Sequence, residues 1–280
     1  MNLRDRSVAS LRWIKALPLG GEVTAIYPVG GATGQLLRRI VEKEGIHGLT
    51  FEVLDETRLS FTVLENETGD EYRFVLPGPS LSEPEWQQCI QELRHLSDRP
   101  GILVMSGSLP PGVPDDFYAR VARMAKDWGT KLVLDSSGPA LSAAVQEGMY
   151  LIKPNLRELR ELTGQALEDE KSWLAACRAL VDAGRAKVVV LTLGDQGALL
   201  VTHDAVLRAL ALPIEPASTV GAGDSFLGAM VWALASGQDL ADAFQYGIAA
   251  GSAALITPGT ELCSREDVGR LYSQVTIHSI

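Results

Sequence analysis

Apolar residues recur along the chain in two alternating rhythms, short continuous runs and longer stretches at helical spacing, punctuated by glycine, proline and small polar residues. Val23 to Tyr27 predicts a strand, Gly30 and Gly31 a turn, and Gln35 to Lys43 a helix closed by Gly45. Leu59 to Leu64 and Glu71 to Leu76 flank a turn at Asn66 to Asp70. The second run alternates Tyr72, Phe74 and Leu76 with charged or smaller residues, the pattern of a hairpin with one exposed face. Because this pair interrupts the strand and helix alternation, it is expected as an outlying flap over residues 58–77.

Beyond the flap, strands at Ile102 to Ser106, Lys131 to Asp135, Tyr150 to Lys153 and Lys187 to Leu193 alternate with helices. Those helices are predicted at Pro84 to Leu96, Asp116 to Trp128, Ala140 to Glu147, Leu156 to Leu162 and Lys171 to Ala183. Further strands are predicted at Ala198 to Thr202 and Val206 to Leu210. Phe226, Leu227, Met230, Val231 and Leu234 then mark an apolar helix that stops near Gly237. This order predicts an α/β fold with a mostly parallel sheet wrapped on both faces, and ligands at the carboxyl ends of the strands. No repeat, low-complexity tract or linker divides residues 1–280, so a single domain carrying the flap is expected. Met1 to Leu19 stand apart: Arg4, Arg6, Arg12 and Lys15 make them basic, Pro18 breaks their pattern, and they offer at most a helix over Val8, Leu11 and Ile14.

Composition narrows the partners. At 280 residues and 46% hydrophobic the chain supplies a large core. A formal net charge of -10 argues against nucleic acid, and any anionic substrate must be held by local cations against the overall field. Three cysteines without CxxC spacing indicate neither a disulfide framework nor a zinc site. The apolar runs fall short of the roughly 20 residues of a membrane helix, and no secretory leader pattern is seen, so a cytoplasmic protein with no membrane partner is expected.

The densest candidate chemistry lies at Ser218 to Phe226, STVGAGDSF, where glycines lead into Asp224 at the start of a helix. A helix N-terminus presents amides without intrahelical acceptors and favours negative charge, so this turn suits a phosphate. A carboxylate there is a poor phosphate ligand but well placed to take a proton from an attacking hydroxyl, which points to phosphoryl transfer. Lys153 and Asn155 end a predicted strand and Glu158 follows at the spacing of a capping box. The same residues suit nucleotide phosphates and, for Glu158, magnesium through water. Thr192, Gly194 and Gly197 lie at a turn between strands, a plain hairpin or a place where backbone meets a nucleotide. Arg58 and Arg73, on or beside the flap, suit either a solvated strand face or phosphate capture. Walker A, GxGxxG after the first strand, HExxH and GxSxG patterns are absent, and His47, His95, His203 and His278 are scattered.

Taken in order, SGSLPPG, KPNxxE, TLGxxGALLV, STVGAGDS and AAGSAALITPGT resemble the PfkB branch of the ribokinase-like carbohydrate kinases, over about Gly20 to Tyr272. The resemblance implies a three-layer α/β/α fold with a small β-strand lid, and an ATP-dependent phosphosugar kinase. Fructose 6-phosphate is the implied substrate, with tagatose 6-phosphate and fructose 1-phosphate as alternatives. It further implies Asp224 as base and Gly221, Ala222 and Gly223 as the anion hole. Lys153, Asn155, Thr192, Gly194, Gly197, Ile248 and Ser252 would line the ATP site, and Arg58 and Ser108 would hold the phosphosugar. Glu158 would join a Mg2+ network, while Ser218, Val220, Ala254, Thr257 and Gly259 would surround K+. Separately from the resemblance, the flap's exposed strands with an apolar face lead to the expectation of a homodimer through the lid. Members of the family open with an aspartate-bearing strand, a lid strand and a GGxGxN turn that contact sugar, and Met1 to Leu19 do not match them. Nucleotide binding is therefore expected to be better provided for than sugar binding, with a catalytically impaired nucleotide-binding relative as the other expectation.

Overall fold

The computed structural model describes residues 23–65, 71–76, 78–218, 220–257 and 263–280. The readings placed on Met1 to Leu19, on the turn Asn66 to Asp70 and on Gly259 lie outside the described residues. Strands β1 (Thr24–Val29) and β2 (His47–Glu52) pair in parallel, joined by helix α1 (Gly31–Lys43). The antiparallel hairpin of β3 (Ser60–Leu64) and β4 (Glu71–Val75) forms a separate two-stranded sheet. There follow α2 (Glu83–Arg94), β5 (Ile102–Ser106), α3 (Phe117–Ala125), β6 (Lys131–Asp135), α4 (Gly138–Ala144), β7 (Met149–Ile152), α5 (Leu156–Thr163), α6 (Glu170–Asp182) and β8 (Ala186–Thr192). The chain then adds β9 (Ala198–Val201), β10 (Val206–Ala209), α7 (Ala222–Ala235), α8 (Leu240–Leu255), α9 (Arg265–Tyr272) and β11 (Ile277–Ser279).

The larger sheet has seven strands in the order β11-β10-β9-β8-β7-β6-β5. β5 to β8 are mutually parallel, and the two antiparallel steps through β9 turn β10 the same way, so five of the seven strands point in one direction. Side chains on a strand alternate between faces, and here both faces are covered. On β6, Leu132 and Leu134 enter the core shared with α2 to α6, while Val133 enters the core shared with α7 to α9. On β8, Val189 and Leu191 face the first set and Val188 and Val190 the second. This is the three-layer arrangement that continuous apolar strands require.

The helices end where local chemistry says they should. Asn155 caps α5 and Gly164, with φ of 68°, closes it. The helix expected over Asp116 to Trp128 is α-helical only to Ala125; residues 126–128 tighten into a 3-10 turn that stops at Gly129, φ 70°. The apolar helix starts at Ala222, earlier than the first apolar marker Phe226, because the GAG segment itself winds into the first turn. β2, α9 and β11 were not expected from the pattern. Cys89, Cys177 and Cys263 are buried, and burial pushes the Cys89 and Cys177 thiols up to about 12, so these two are unreactive packing groups. Among the described residues no helix is long and apolar enough to cross a membrane.

Candidate active site

Because β5 to β8 run in parallel, Ser106, Asp135, Ile152 and Thr192 end at one edge of the sheet. The loop after β5 is pinned to β6 there: the Gly107 amide donates to the Asp135 carbonyl at 2.9 Å and Ser136 Oγ donates to the Gly107 carbonyl at 3.0 Å. From below, the buried Tyr118 hydroxyl donates to the Ser106 and Gly107 carbonyls at 3.1 and 3.0 Å. Ser108 is thereby held exposed, one residue beyond a fixed backbone.

Lys153 leaves the end of β7 only 6% exposed. Its ammonium reaches back to Asp135 on the neighbouring strand, Nζ to Oδ1 3.2 Å. A methyl group placed on Gly223 would lie 3.5 Å from the same Nζ, so the lysine links the sheet edge to the GAGD turn. Burial raises the Asp135 carboxyl above its usual range; Lys153 opposes this, and the charges of Asp224 and Glu158 add to it. Asp135, Glu158 and Asp224 thus share one electrostatic neighbourhood with Lys153. Asp135 is the residue that sequence reasoning missed: an aspartate ending a strand carries no local signal, and only the β6 and β7 register brings it to Lys153.

Gly221 is the N-cap of α7 in a left-handed conformation, φ 81°, and no side chain caps the helix. The Ser225 amide closes the first turn on the Gly221 carbonyl at 2.8 Å, so the amides of Ala222 and Gly223 precede the helical ladder. Gly223 is exposed and Asp224 half-buried in that turn, at the positive end of a 14-residue helix. Behind it, α7 and α8 approach closely: Gly251 packs toward the Ala222 carbonyl and Gly247 faces the Phe226 ring, which meets Phe244 edge-on at 6.2 Å.

The capping box at Asn155 and Glu158 is fully formed. Asn155 Oδ1 accepts from the Glu158 amide and Glu158 Oε2 from the Asn155 amide, both at 2.9 Å. Asn155 also bridges to Thr192, whose amide donates to the Pro154 carbonyl at 3.0 Å, so the two strand ends are tied together. Next to them the turn at 194–197 closes with Leu193 N to Gly197 O at 2.8 Å. Gly197 has φ of 86°, and a Cβ there would collide with the Ala209 carbonyl at 2.2 Å. Lys153, Asn155, Thr192, Gly194 and Gly197 therefore line adjacent strand ends. Ile248 and Ser252 sit on α8 and are both buried, Ile248 within the core against α7.

Arg58 lies at the root of the hairpin against Gly78 at the other root. That second root is tied to the loop bearing Ser108, with Leu81 N donating to the Pro111 carbonyl at 2.8 Å. Ser218, Val220, Ala254 and Thr257 also converge: the Ala217 and Ser218 amides both donate to the Leu255 carbonyl, at 2.7 and 3.2 Å. Val220 N donates to Ser218 Oγ at 3.3 Å, and Thr257 Oγ1 to the Ala253 carbonyl at 2.9 Å. Among the described residues no cluster of three or more His, Cys, Asp or Glu could hold a metal ion by itself.

The pfkB family carbohydrate kinase pattern matches residues 16–267. The ATP-dependent 6-phosphofructokinase isozyme 2 of Mycobacterium tuberculosis is 46% identical over 254 residues, 91% of this chain and 75% of that protein. The Escherichia coli K12 protein of the same name is 40% identical over 259 residues, 92% of this chain and 84% of its own. The crystal structure of Escherichia coli phosphofructokinase-2 in complex with potassium superposes with a TM-score of 0.89 at 40% identity, covering 93% of this chain and 85% of that one. With a family pattern that spans residues 16–267 and relatives 40–46% identical over more than nine-tenths of its length, the chain belongs to the pfkB family of carbohydrate kinases.

Proposed function

We propose that the chain transfers the γ-phosphoryl group of ATP to the primary hydroxyl of fructose 6-phosphate, giving fructose 1,6-bisphosphate and ADP. The observation that carries this reading is Asp224 in the first turn of α7, beside the Lys153 ammonium that packs on Gly223. Asp224 accepts the hydroxyl proton as the sugar oxygen bonds to phosphorus and the bond to the β-phosphate oxygen breaks. The amides at Ala222 and Gly223, with the helix dipole behind them, face the charge on the migrating group. Lys153, Asn155, Thr192, Gly194 and Gly197 hold ATP along the strand ends, with Ile248 and Ser252 bounding the pocket from α8. Arg58 and Ser108 hold the sugar phosphate.

Three carboxylates set against the Lys153 ammonium repel a bare nucleotide, which is the charge balance that suits Mg2+ entering with ATP. When bound, magnesium would draw charge from the phosphate oxygens, with Glu158 acting on it through water. The Ser218, Val220, Ala254 and Thr257 oxygens are neutral hydroxyls and carbonyls, a donor set suited to K+. We further propose a cytoplasmic, single-domain enzyme whose hairpin is a lid. Val63 pairs with Tyr72, and Tyr72, Phe74 and Leu76 follow on the same face, each 46–49% exposed, an apolar surface that a second copy of the chain would cover.

ADP release with ATP and fructose 6-phosphate tests the proposal. Asp224→Asn is expected to lower kcat by about 100- to 10,000-fold with little change in either KM. Unchanged turnover in that variant removes Asp224 from the mechanism, and turnover confined to fructose 1-phosphate or tagatose 6-phosphate reassigns the substrate.

A further inference from the structure

Asp135 belongs to none of the motifs that mark the site, yet its carboxylate is what the buried Lys153 ammonium touches. The contact follows from the sheet. β6 and β7 pair with Val133 opposite Leu151 and Leu134 opposite Ile152, and Lys153 N donates to the Leu134 carbonyl at 3.2 Å. Asp135 and Lys153 are therefore the next rung of a parallel ladder, on one face, at the point where both strands leave the sheet.

We propose that Asp135 is a positioning residue for phosphoryl transfer: its carboxylate holds the Lys153 ammonium against the turn at Gly223. The inference rests on the kinase reading above. A lysine side chain has a flexible four-carbon stem, and a buried ammonium settles on whichever carboxylate is in reach. Asp135 feels the charges of both Asp224 and Glu158, so these are the alternative partners. Asp135, fixed on a strand rather than a loop, keeps the ammonium at the anion-binding turn, where the incoming phosphate would meet it.

A double-mutant cycle tests this with Asp135→Asn, Lys153→Met and the combination, each confirmed as folded by circular dichroism. Asp135→Asn is expected to reduce kcat on the order of 10- to 100-fold while KM for fructose 6-phosphate stays within about twofold. The combined variant is expected to be no slower than Lys153→Met alone. Losses that multiply, or a kcat within about twofold of the unsubstituted protein in Asp135→Asn, overturn the proposal. If Asp135→Asn does not fold, Asp135→Ser enters the same cycle. Calorimetric ATP binding across the four proteins gives a second readout that needs no turnover. Non-additive affinities support the coupling even if fructose 6-phosphate is not the substrate, and additive ones refute it.

Discussion

Gly247 on α8 faces the ring of Phe226 on α7 so closely that a methyl group at position 247 would lie 2.9 Å from the nearest ring carbon. Phe226 sits two residues past Asp224, so this packing fixes the height of the first turn of α7. Gly247→Ala is expected to cost about 1–3 kcal/mol of stability through overpacking, read as a lower urea midpoint. Turnover should fall with it, because the displaced ring lies in the same turn of α7 as Asp224, the proposed base.

Gly197 holds the turn beside Thr192 in a left-handed conformation, with the Ala209 carbonyl where a side chain would begin. Gly197→Ala is expected to destabilise by roughly 1–3 kcal/mol or more, through both strain and collision. Steady-state kinetics should show KM for ATP rising more than KM for the sugar. Equal rises would mean that the turn does not serve the nucleotide.

Glu85 gives a test by pH. Its carboxylate accepts from Ser82 Oγ at 2.6 Å, Leu54 N at 2.6 Å and Ser82 N at 2.7 Å, joining α2 to the segment after β2. The Ser82 hydroxyl foremost, then the Leu54 and Ser82 amides, hold its pKa below the ordinary 4.5. A depressed carboxyl contributes stability that is complete above its unfolded value and disappears as pH falls through its folded value. Chemical unfolding at stepped pH should therefore show the unsubstituted protein ahead of Glu85→Gln near neutrality, with the gap closing below about pH 4.5. A gap that persists into strong acid would assign Glu85 no ionic role.

The hairpin face of Val63, Tyr72, Phe74 and Leu76 predicts an assembly defect. Phe74→Glu would bury a charge in a face that a second copy covers, and sedimentation velocity should show monomer where the unsubstituted chain sediments as a dimer. A monomeric parent chain would remove the lid from any role in assembly.

Much of this site was legible from the chain because its parts are local. Lys131 to Asp135 forms the predicted strand residue for residue, Asn155 and Glu158 form the predicted capping box, and the GAGD segment opens a helix. These signals reside in neighbours along the backbone. β2 escaped notice because HGLTFE mixes a glycine and polar ends with few apolar residues, and its strand state comes from pairing with β1. Asp135 escaped for a related reason, since its meaning depends on which strand lies beside it. Ile248 resembled a nucleotide contact by motif, and its burial against α7 shows that helix packing places the same demand for an apolar residue there.

The paired donation from Ala217 and Ser218 to one carbonyl, that of Leu255, ties the segment that leads toward α7 to the end of α8. The end of α8 is an abutment for the approach to α7. Under the proposed function, an occupant at the 254–257 oxygens would act on the start of α7 from behind, at a remove from both sugar and nucleotide.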